Sequence, residues 1–375
     1  MKIKRLMISG FKSIDKVELL NIGNFCTFAG ANGSGKTNFF EALHFASMTV
    51  DQGASSAIKF FGGYNQLHCL KKRKDGARTF ELELETEHDG QMFEYRLKIQ
   101  NMDLAPVLTE CFKENSNILM KRDCGNAPIL TGIADDNPTA SSSVAIPAER
   151  SALFFLFKKP FYDWIRNIKI YRFNPDFAKR TNPIGADAEE LDRDGGNIAA
   201  VLSERLKDGD KNTWAGIMEM MELFVPGLES IRTELQSLDG SMAIKFKEFG
   251  LKKEFPAHLI SDGTIYILCL LTAVMSRCNE PGFTLIEEPE RGINPKAIEQ
   301  IIGFIREKAS TTHPIWLSTH NESVVRTVKA NELIFVNKID GRTVFKNGRD
   351  IAPVVGNMPL DKAWLSNMFD GGLPW

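Results

Sequence analysis

The stretch Gly30-Ala31-Asn32-Gly33-Ser34-Gly35-Lys36-Thr37 has the form G-x-x-x-x-G-K-[ST], and it narrows the fold further than any other part of the chain. Gly30, Gly33 and Gly35 carry no Cβ, so the backbone can curl until successive N–H groups point inward at phosphate oxygens. Lys36 supplies a point charge for the β- and γ-phosphates, the Thr37 hydroxyl is a ligand for Mg²⁺, and Asn38 completes the nucleotide-binding set at the start of a helix. The context agrees. Phe25-Cys26-Thr27-Phe28 reads as a short buried strand, and 38–48 as a helix with Phe39, Leu43 and Phe45 on its apolar side. The helix N-terminus adds a dipole that favours an anion. A glycine-rich turn with a chance lysine does not account for strand, loop and helix in that order.

Three later stretches bear on the same chemistry. Leu285-Ile286 runs into Glu287-Glu288-Pro289-Glu290, an apolar strand ending in acids. From their order Glu287 is assigned to Mg²⁺, directly or through its waters, and Glu288 to the water attacking the γ-phosphate, the division that phosphoryl transfer requires. An acidic loop after a core strand is the plain alternative. Leu317-Ser318-Thr319-His320 ends another apolar run, and His320 is a candidate hydrogen-bond partner of the γ-phosphate. Ser261-Asp262-Gly263-Thr264 precedes an apolar helix over 265–274, where Ser261 reads as a helix cap.

The rest of the chain is mixed α/β in pattern. A length of 375 residues with 43% apolar content and net charge −2 is enough for a substantial core and argues against a surface wholly given to nucleic acid. Local basic stretches remain. Lys71-Lys72-Arg73-Lys74 with Arg78 is either a solvated loop or a DNA contact. The segment 157–180 interleaves Lys158, Lys159, Arg166, Lys169, Arg172, Lys179 and Arg180 with aromatics, as an amphipathic core segment or a DNA-contacting one. No run reaches the roughly 20 apolar residues of a membrane span, and the amino terminus leads into a strand rather than a signal peptide, so a soluble cytoplasmic protein without membrane contact is expected. Six cysteines without C-x-x-C spacing read as reduced thiols.

Residues 3–20 alternate weakly about Gly10-Phe11-Lys12-Ser13, where Lys12 is a further phosphate contact or a plain surface lysine. A hairpin is predicted from Phe80, Leu82 and Leu84 through Asp89-Gly90 to Phe93, Tyr95, Leu97 and Ile99. A strand pair is expected at 107–121, a mobile loop at 125–143, and mostly helix over 145–235, including 150–161, 197–207 and 213–224, with a break at Pro226-Gly227. The last third reads as buried strands at 283–286 and 315–318, a helix at 296–308, and a hairpin at 332–336 and 343–345. The predicted organisation is a phosphate-loop lobe with antiparallel hairpins at 1–124, a loop and helical insert at 125–240, and a lobe at 241–375 carrying the later motifs.

In that order, the phosphate loop, S-D-G-T at 261–264, I-E-E-P-E at 286–290 and S-T-H at 318–320 resemble the SMC/RecF/OLD-like branch of ABC-type ATPases. The likeness is to small bacterial AAA15/AAA_21-like ATP-binding proteins of anti-phage defence and DNA-repair operons. The opening Ile8-Ser9-Gly10-Phe11-Lys12-Ser13, Tyr171-Arg172-Phe173-Asn174-Pro175 and the run 192–202 also resemble that group. The chain departs from the pattern in three places. Asp262-Gly263 stands where the ABC signature has two glycines, Glu287 replaces the Walker B aspartate, and no Q-loop glutamine stands out, Gln66 being a candidate. The resemblance implies an α/β P-loop NTPase of ABC-ATPase head type, with an antiparallel β lobe and a helical insert. It further implies ATP and Mg²⁺, Glu288 and a switch histidine, His320, as catalytic residues, and a signature at Ser261-Asp262-Gly263 that binds nucleotide held by a second subunit. A homodimer or higher oligomer follows, packed head to tail.

The expected role is an ATP-driven switch in a prokaryotic genome-defence or DNA-maintenance complex, gating an effector from a neighbouring gene such as a nuclease or toxin. The alternative is a RecF-like DNA-repair ATPase that binds duplex DNA itself. A fused nuclease is disfavoured, because the roughly 55 residues after His320 are fewer than the ~100 such a domain needs.

Overall fold

Alternation at the amino terminus becomes a hairpin, with β1 (Lys2–Phe11) antiparallel to β2 (Ile14–Leu20) across a turn in which Gly10 and Lys12 both take positive φ. In the computed structural model, which describes residues 1–72, 74–131, 141–183, 185–207, 209–237, 240–356, 358–366 and 368, the chain divides into two units. The first holds residues 1–168, 281–283 and 310–375, and the second holds 169–280 and 284–309. After β2 comes β3 (Phe25–Ala29), buried throughout, and then α1 (Lys36–Gln52).

β1 also pairs with β4 (Phe80–His88), whose even-numbered apolar residues face the core as the alternation requires. The ladder continues through β5 (Gln91–Gln100), β6 (Val107–Glu114), β7 (Asn117–Arg122), β8 (Ile129–Thr131) and β9 (Ser141–Ser143), an eight-stranded antiparallel sheet. The expected mobile loop at 125–143 is therefore partly strand. Its centre, 132–140, lies outside the described residues. Arg122 explains the order at the loop's base. Its buried guanidinium donates to the carbonyls of Gly125, Asn126, Ile146, Pro147 and Arg150, which ties both ends together. Glu110 lies 4.0 Å from Arg122 and accepts from Tyr95 Oη (2.8 Å), Ser151 Oγ (2.6 Å) and Ala152 N (2.8 Å).

The stretch 145–235 is less helical than its composition suggests. Residues 150–161 split into a 3₁₀ turn, Ala152–Leu156, and a helix, Pro160–Arg166, because proline opens a helix but cannot sit inside one. Two segments are strands instead: β10 (Ile168–Tyr171) and β11 (Leu228–Leu235). The second follows the predicted break, where Gly227 takes φ +95, and pairs with β12 (Met242–Glu248), which pairs in turn with β13 (Phe255–Pro256). Between them lie a wide-turned helix over Val201–Lys207 and α2 (Lys211–Phe224). The second unit continues with α3 (Asp262–Met275), almost wholly buried, then β14 (Phe283–Glu287) and α4 (Pro295–Lys308).

The chain returns to the first unit with β15 (Ile315–Thr319), β16 (Leu333–Ile339) and β17 (Arg342–Asn347). β15 and β16 flank β3, both parallel to it, and β17 closes the hairpin with β16. α1 packs through an aromatic spine. Phe39 contacts Phe28 (5.0 Å between centroids), Trp316 (6.2 Å, stacked) and Phe345 (4.9 Å), while Phe45 meets Phe80 (5.0 Å) and Phe11 (5.6 Å). One helix thus joins the antiparallel ladder to the strands around β3. Among the described residues no helix is long and apolar enough to cross a membrane.

Phe39 is fully buried at the centre of this spine. Phe39→Ala should lower the unfolding free energy by about 3–5 kcal/mol in urea titrations of the full chain, the range for an aromatic lost from a packed core. A loss below about 1 kcal/mol would mean that the spine does not hold α1.

Candidate functional site

β3 delivers the chain into the loop at the carboxyl end of parallel strands, the edge at which open α/β sheets bind ligands. Gly30 N donates to Thr319 O (3.2 Å), so the loop starts level with the end of β15. Two of its glycines are required by their neighbours. A Cβ on Gly30 would lie 2.2 Å from Val336 O, and one on Gly35, at φ +107, would lie 2.0 Å from Thr343 Oγ1. Gly33 has open space around it, so only its φ of +77 calls for glycine. Lys36 is buried, and its ammonium donates to the carbonyls of Gly30 (2.6 Å) and Ala31 (2.9 Å). Asn32 and Gly33 are exposed at the crest, and Ala31, Thr37 and Asn38 are half-buried.

Behind the loop stands a hydroxyl pair that sequence reasoning missed. Thr343 Oγ1 donates to Ser34 O (3.0 Å) and lies 2.7 Å from Ser13 Oγ, which accepts from Asn38 Nδ2 (2.7 Å). The opening G-F-K-S stretch therefore braces the phosphate loop through its serine. Its Lys12 pairs with Glu41 of α1. Gln66 is exposed on the short helix Tyr64–Leu67, whose Leu67 O accepts from Lys12 N (2.8 Å). His320 follows β15 directly and is half-buried, and the next residue, Asn321, caps the helix Glu322–Thr327.

In the second unit Glu287 ends β14 with 3% of its surface exposed. Two arginines face its carboxylate. Arg193 Nη2 lies 3.5 Å from Oε1 and Arg172 Nε lies 3.8 Å from Oε2. From the sequence Arg193 was assigned no role and Arg172 only a place in the basic-aromatic segment, although both sit in stretches that carry the family resemblance. Glu288 turns the chain at φ +53, a left-handed conformation uncommon for a residue with a Cβ. Tyr266 of α3 donates to Glu288 O (2.6 Å) and holds that turn. Burial, then the Glu290 carboxylate, pushes the Tyr266 phenol well above its ordinary value, so it stays a donor.

Ser261 caps α3, accepting from Thr264 N (3.1 Å), and its neighbour Asp262 pairs with Lys179. Gly263 passes so close to the turn after β14 that a Cβ would lie 2.5 Å from Gly292 O. The structure thus groups 30–38 with Ser13, Thr343 and His320 in one unit, and Ser261, Asp262 and Gly263 with Glu287 and Glu288 in the other. Taken unit by unit, the glycine cradle and buried Lys36 of the first suit phosphate and its Thr37 hydroxyl is a hard oxygen donor, while the second holds a hard oxygen donor of its own in the Glu287 carboxylate.

The basic-aromatic segment is mostly core. Phe161, Trp164, Tyr171 and Phe173 are buried, Lys159 pairs with Glu114, and Lys169 pairs with Glu190. In the other basic stretch Lys72 donates to Ser9 Oγ (2.6 Å) and Arg78 pairs with Asp103, while Arg73 lies outside the described residues.

Residues 26–326 match the AAA_21 family, described as "AAA domain, putative AbiEii toxin, Type IV TA system". No curated protein matches the chain. Among solved structures, an SMC head bound to the C-winged helix domain of ScpA is similar with a TM-score of 0.57 and 16% identity, covering 92% of this chain and 98% of that one. An Smc head domain with an extended coiled coil, bound to the C-terminal domain of ScpA derived from Pyrococcus furiosus, gives 0.51 and 15%, covering 94% and 98%. At these identities the likeness is one of fold, that of the SMC-type ABC-ATPase head.

The two glycine environments separate in a paired substitution. Gly35→Ala, which meets Thr343 Oγ1 and a positive φ together, should lose most binding of a slowly hydrolysed ATP analogue and lower stability by about 1–3 kcal/mol. Gly33→Ala should cost about 1 kcal/mol, from backbone conformation alone. Calorimetric binding and thermal unfolding of both variants check this, and an equal cost at the two positions would contradict the contact with Thr343.

Proposed function

The chain belongs to the AAA_21 family, and from that membership we propose that it binds and hydrolyses ATP as a nucleotide-driven dimeric switch that gates a separate effector. The observation that carries this reading is the phosphate loop, in which neighbouring atoms demand glycine at 30 and 35 and a buried lysine is held by the loop's own carbonyls. Lys36 supplies the fixed cation for the β- and γ-phosphates. Thr37 and Glu287 hold Mg²⁺, which supplies charge to the phosphoryl oxygens when bound. Glu288 polarises the attacking water, and its left-handed backbone is the kind of local strain that clusters at working sites. His320 hydrogen-bonds the γ-phosphate.

Ser261, Asp262 and Gly263 serve the nucleotide of a second subunit, since a signature of this kind acts across a dimer. Two facts support an effector in trans. The SMC heads of similar fold carry ScpA domains in their structures, and the family description names a toxin system. A prokaryotic defence or DNA-maintenance complex in the cytoplasm fits both. The alternative, a head that clamps duplex DNA itself, loses support because the aromatics at 161–173 are core and several of the interleaved lysines are paired.

Glu288→Gln should keep Mg²⁺–ATP binding and lose turnover by roughly 10²-fold or more, the range of a positioned base. Normal hydrolysis by Glu288→Gln alongside an inactive Glu287→Gln would exchange the two roles.

The dimer is tested by mixing Lys36→Ala chains with Ser261→Arg chains, each inactive as a homodimer. In the mixed dimer the Ser261→Arg chain's phosphate loop faces an intact signature, so part of the ATPase activity should return. Ser261→Arg homodimers hydrolysing at the wild-type rate would reduce Ser261 to a helix cap and end the switch reading.

A further inference from the structure

Burying a carboxylate as deeply as Glu287 is costly unless charge or hydrogen bonds compensate it. Two arginines from separate stretches of chain face it, one at each oxygen: Arg193 at Oε1 and Arg172 at Oε2. The two stretches are locked to each other. Arg172 N donates to Arg193 O (2.7 Å) and Asn174 N to Asp194 O (2.9 Å), two rungs of backbone pairing. Gly195 then packs so closely that a Cβ would lie 3.0 Å from Cys269 Sγ of α3. The backbones are fixed, but the guanidinium heads are not deeply held. The Arg172 side chain is 50% exposed and that of Arg193 36%, and both contacts are longer than a tight charge-assisted hydrogen bond.

We propose that Arg172 and Arg193 are positioning residues that occupy both oxygens of Glu287 before metal arrives, so that Mg²⁺ reaches this carboxylate by displacing them. The pair then sets the Mg²⁺ concentration at which the nucleotide site is completed. This rests on the reading that Glu287 serves the metal. Two other roles for the arginines give different signs. A purely structural clamp would leave the Mg²⁺ requirement unchanged when removed, and a direct contact to nucleotide phosphate would weaken binding even without metal.

The experiment titrates Mg²⁺ into the metal-stripped full chain with a fluorescent, slowly hydrolysed ATP analogue, following binding rather than turnover. Arg172→Gln with Arg193→Gln should lower the half-saturating Mg²⁺ about three- to tenfold, as expected for two partly exposed competing charges. Metal-free affinity for the analogue should be unchanged. The double Lys variant, which keeps both charges, should stay within about twofold of wild type. The double Gln protein should melt earlier without metal, and Mg²⁺ with analogue should narrow the difference. If the double variant fails to fold, Arg172→Gln alone, at the more exposed position, should show a smaller shift of the same sign. An unchanged or raised Mg²⁺ midpoint, or a loss of metal-free affinity, overturns the proposal. Glu287→Gln separates the two levels of failure. If it titrates like wild type, Glu287 does not serve the metal, and the underlying assignment falls together with the proposal.

Discussion

The parallel register of β15 on β3 is the constraint on which the first unit depends. Phe25 lies opposite Ile315 and Ala29 opposite Thr319, so the strands end level and the phosphate loop and His320 leave from one edge. The same pairing sets Phe28 and Trp316 side by side, 5.3 Å apart, as the floor on which Phe39 of α1 packs. A slip of one residue would turn Phe28 to the opposite face and remove that floor. Close packing and loop position are therefore one requirement. Thr343, on the strand beyond β16, completes it by filling the space that a Cβ at Gly35 would need.

Each unit also contains a buried carboxylate, and the two are compensated in different ways. Glu110 is held by a tyrosine, a serine, a backbone N–H and Arg122, which is itself spent on five carbonyls. Burial still pushes its carboxyl above the usual range. Such a network fastens a loop. Glu287 is faced by arginines whose side chains are partly exposed, whereas that of Arg122 is fully buried.

Much of the fold was legible because its signals are local. Strict alternation at 80–99 and the Asp89-Gly90 turn specify a hairpin whatever surrounds them. The strand, glycine loop and helix at 25–52 are legible for the same reason, and Ser261 reads as a cap because capping needs only the next three residues. The errors fell where a distant partner decides. Nothing within 228–235 says strand strongly enough to outweigh its helical neighbours until β12 pairs with it. The order in the loop after β7 comes from one arginine reaching carbonyls up to 28 residues away.

The amino-acid sequence by itself determined the phosphate loop, the acids after β14, the cap before α3 and the alternation of the antiparallel ladder. Each is a run of residues whose spacing carries its own physical reason. Tertiary structure alone decided which glycines are sterically required, that Ser13 and Thr343 brace the loop from 330 residues apart, and that two arginines face Glu287. These are facts of through-space distance, and a chain records distance along itself, not across the fold.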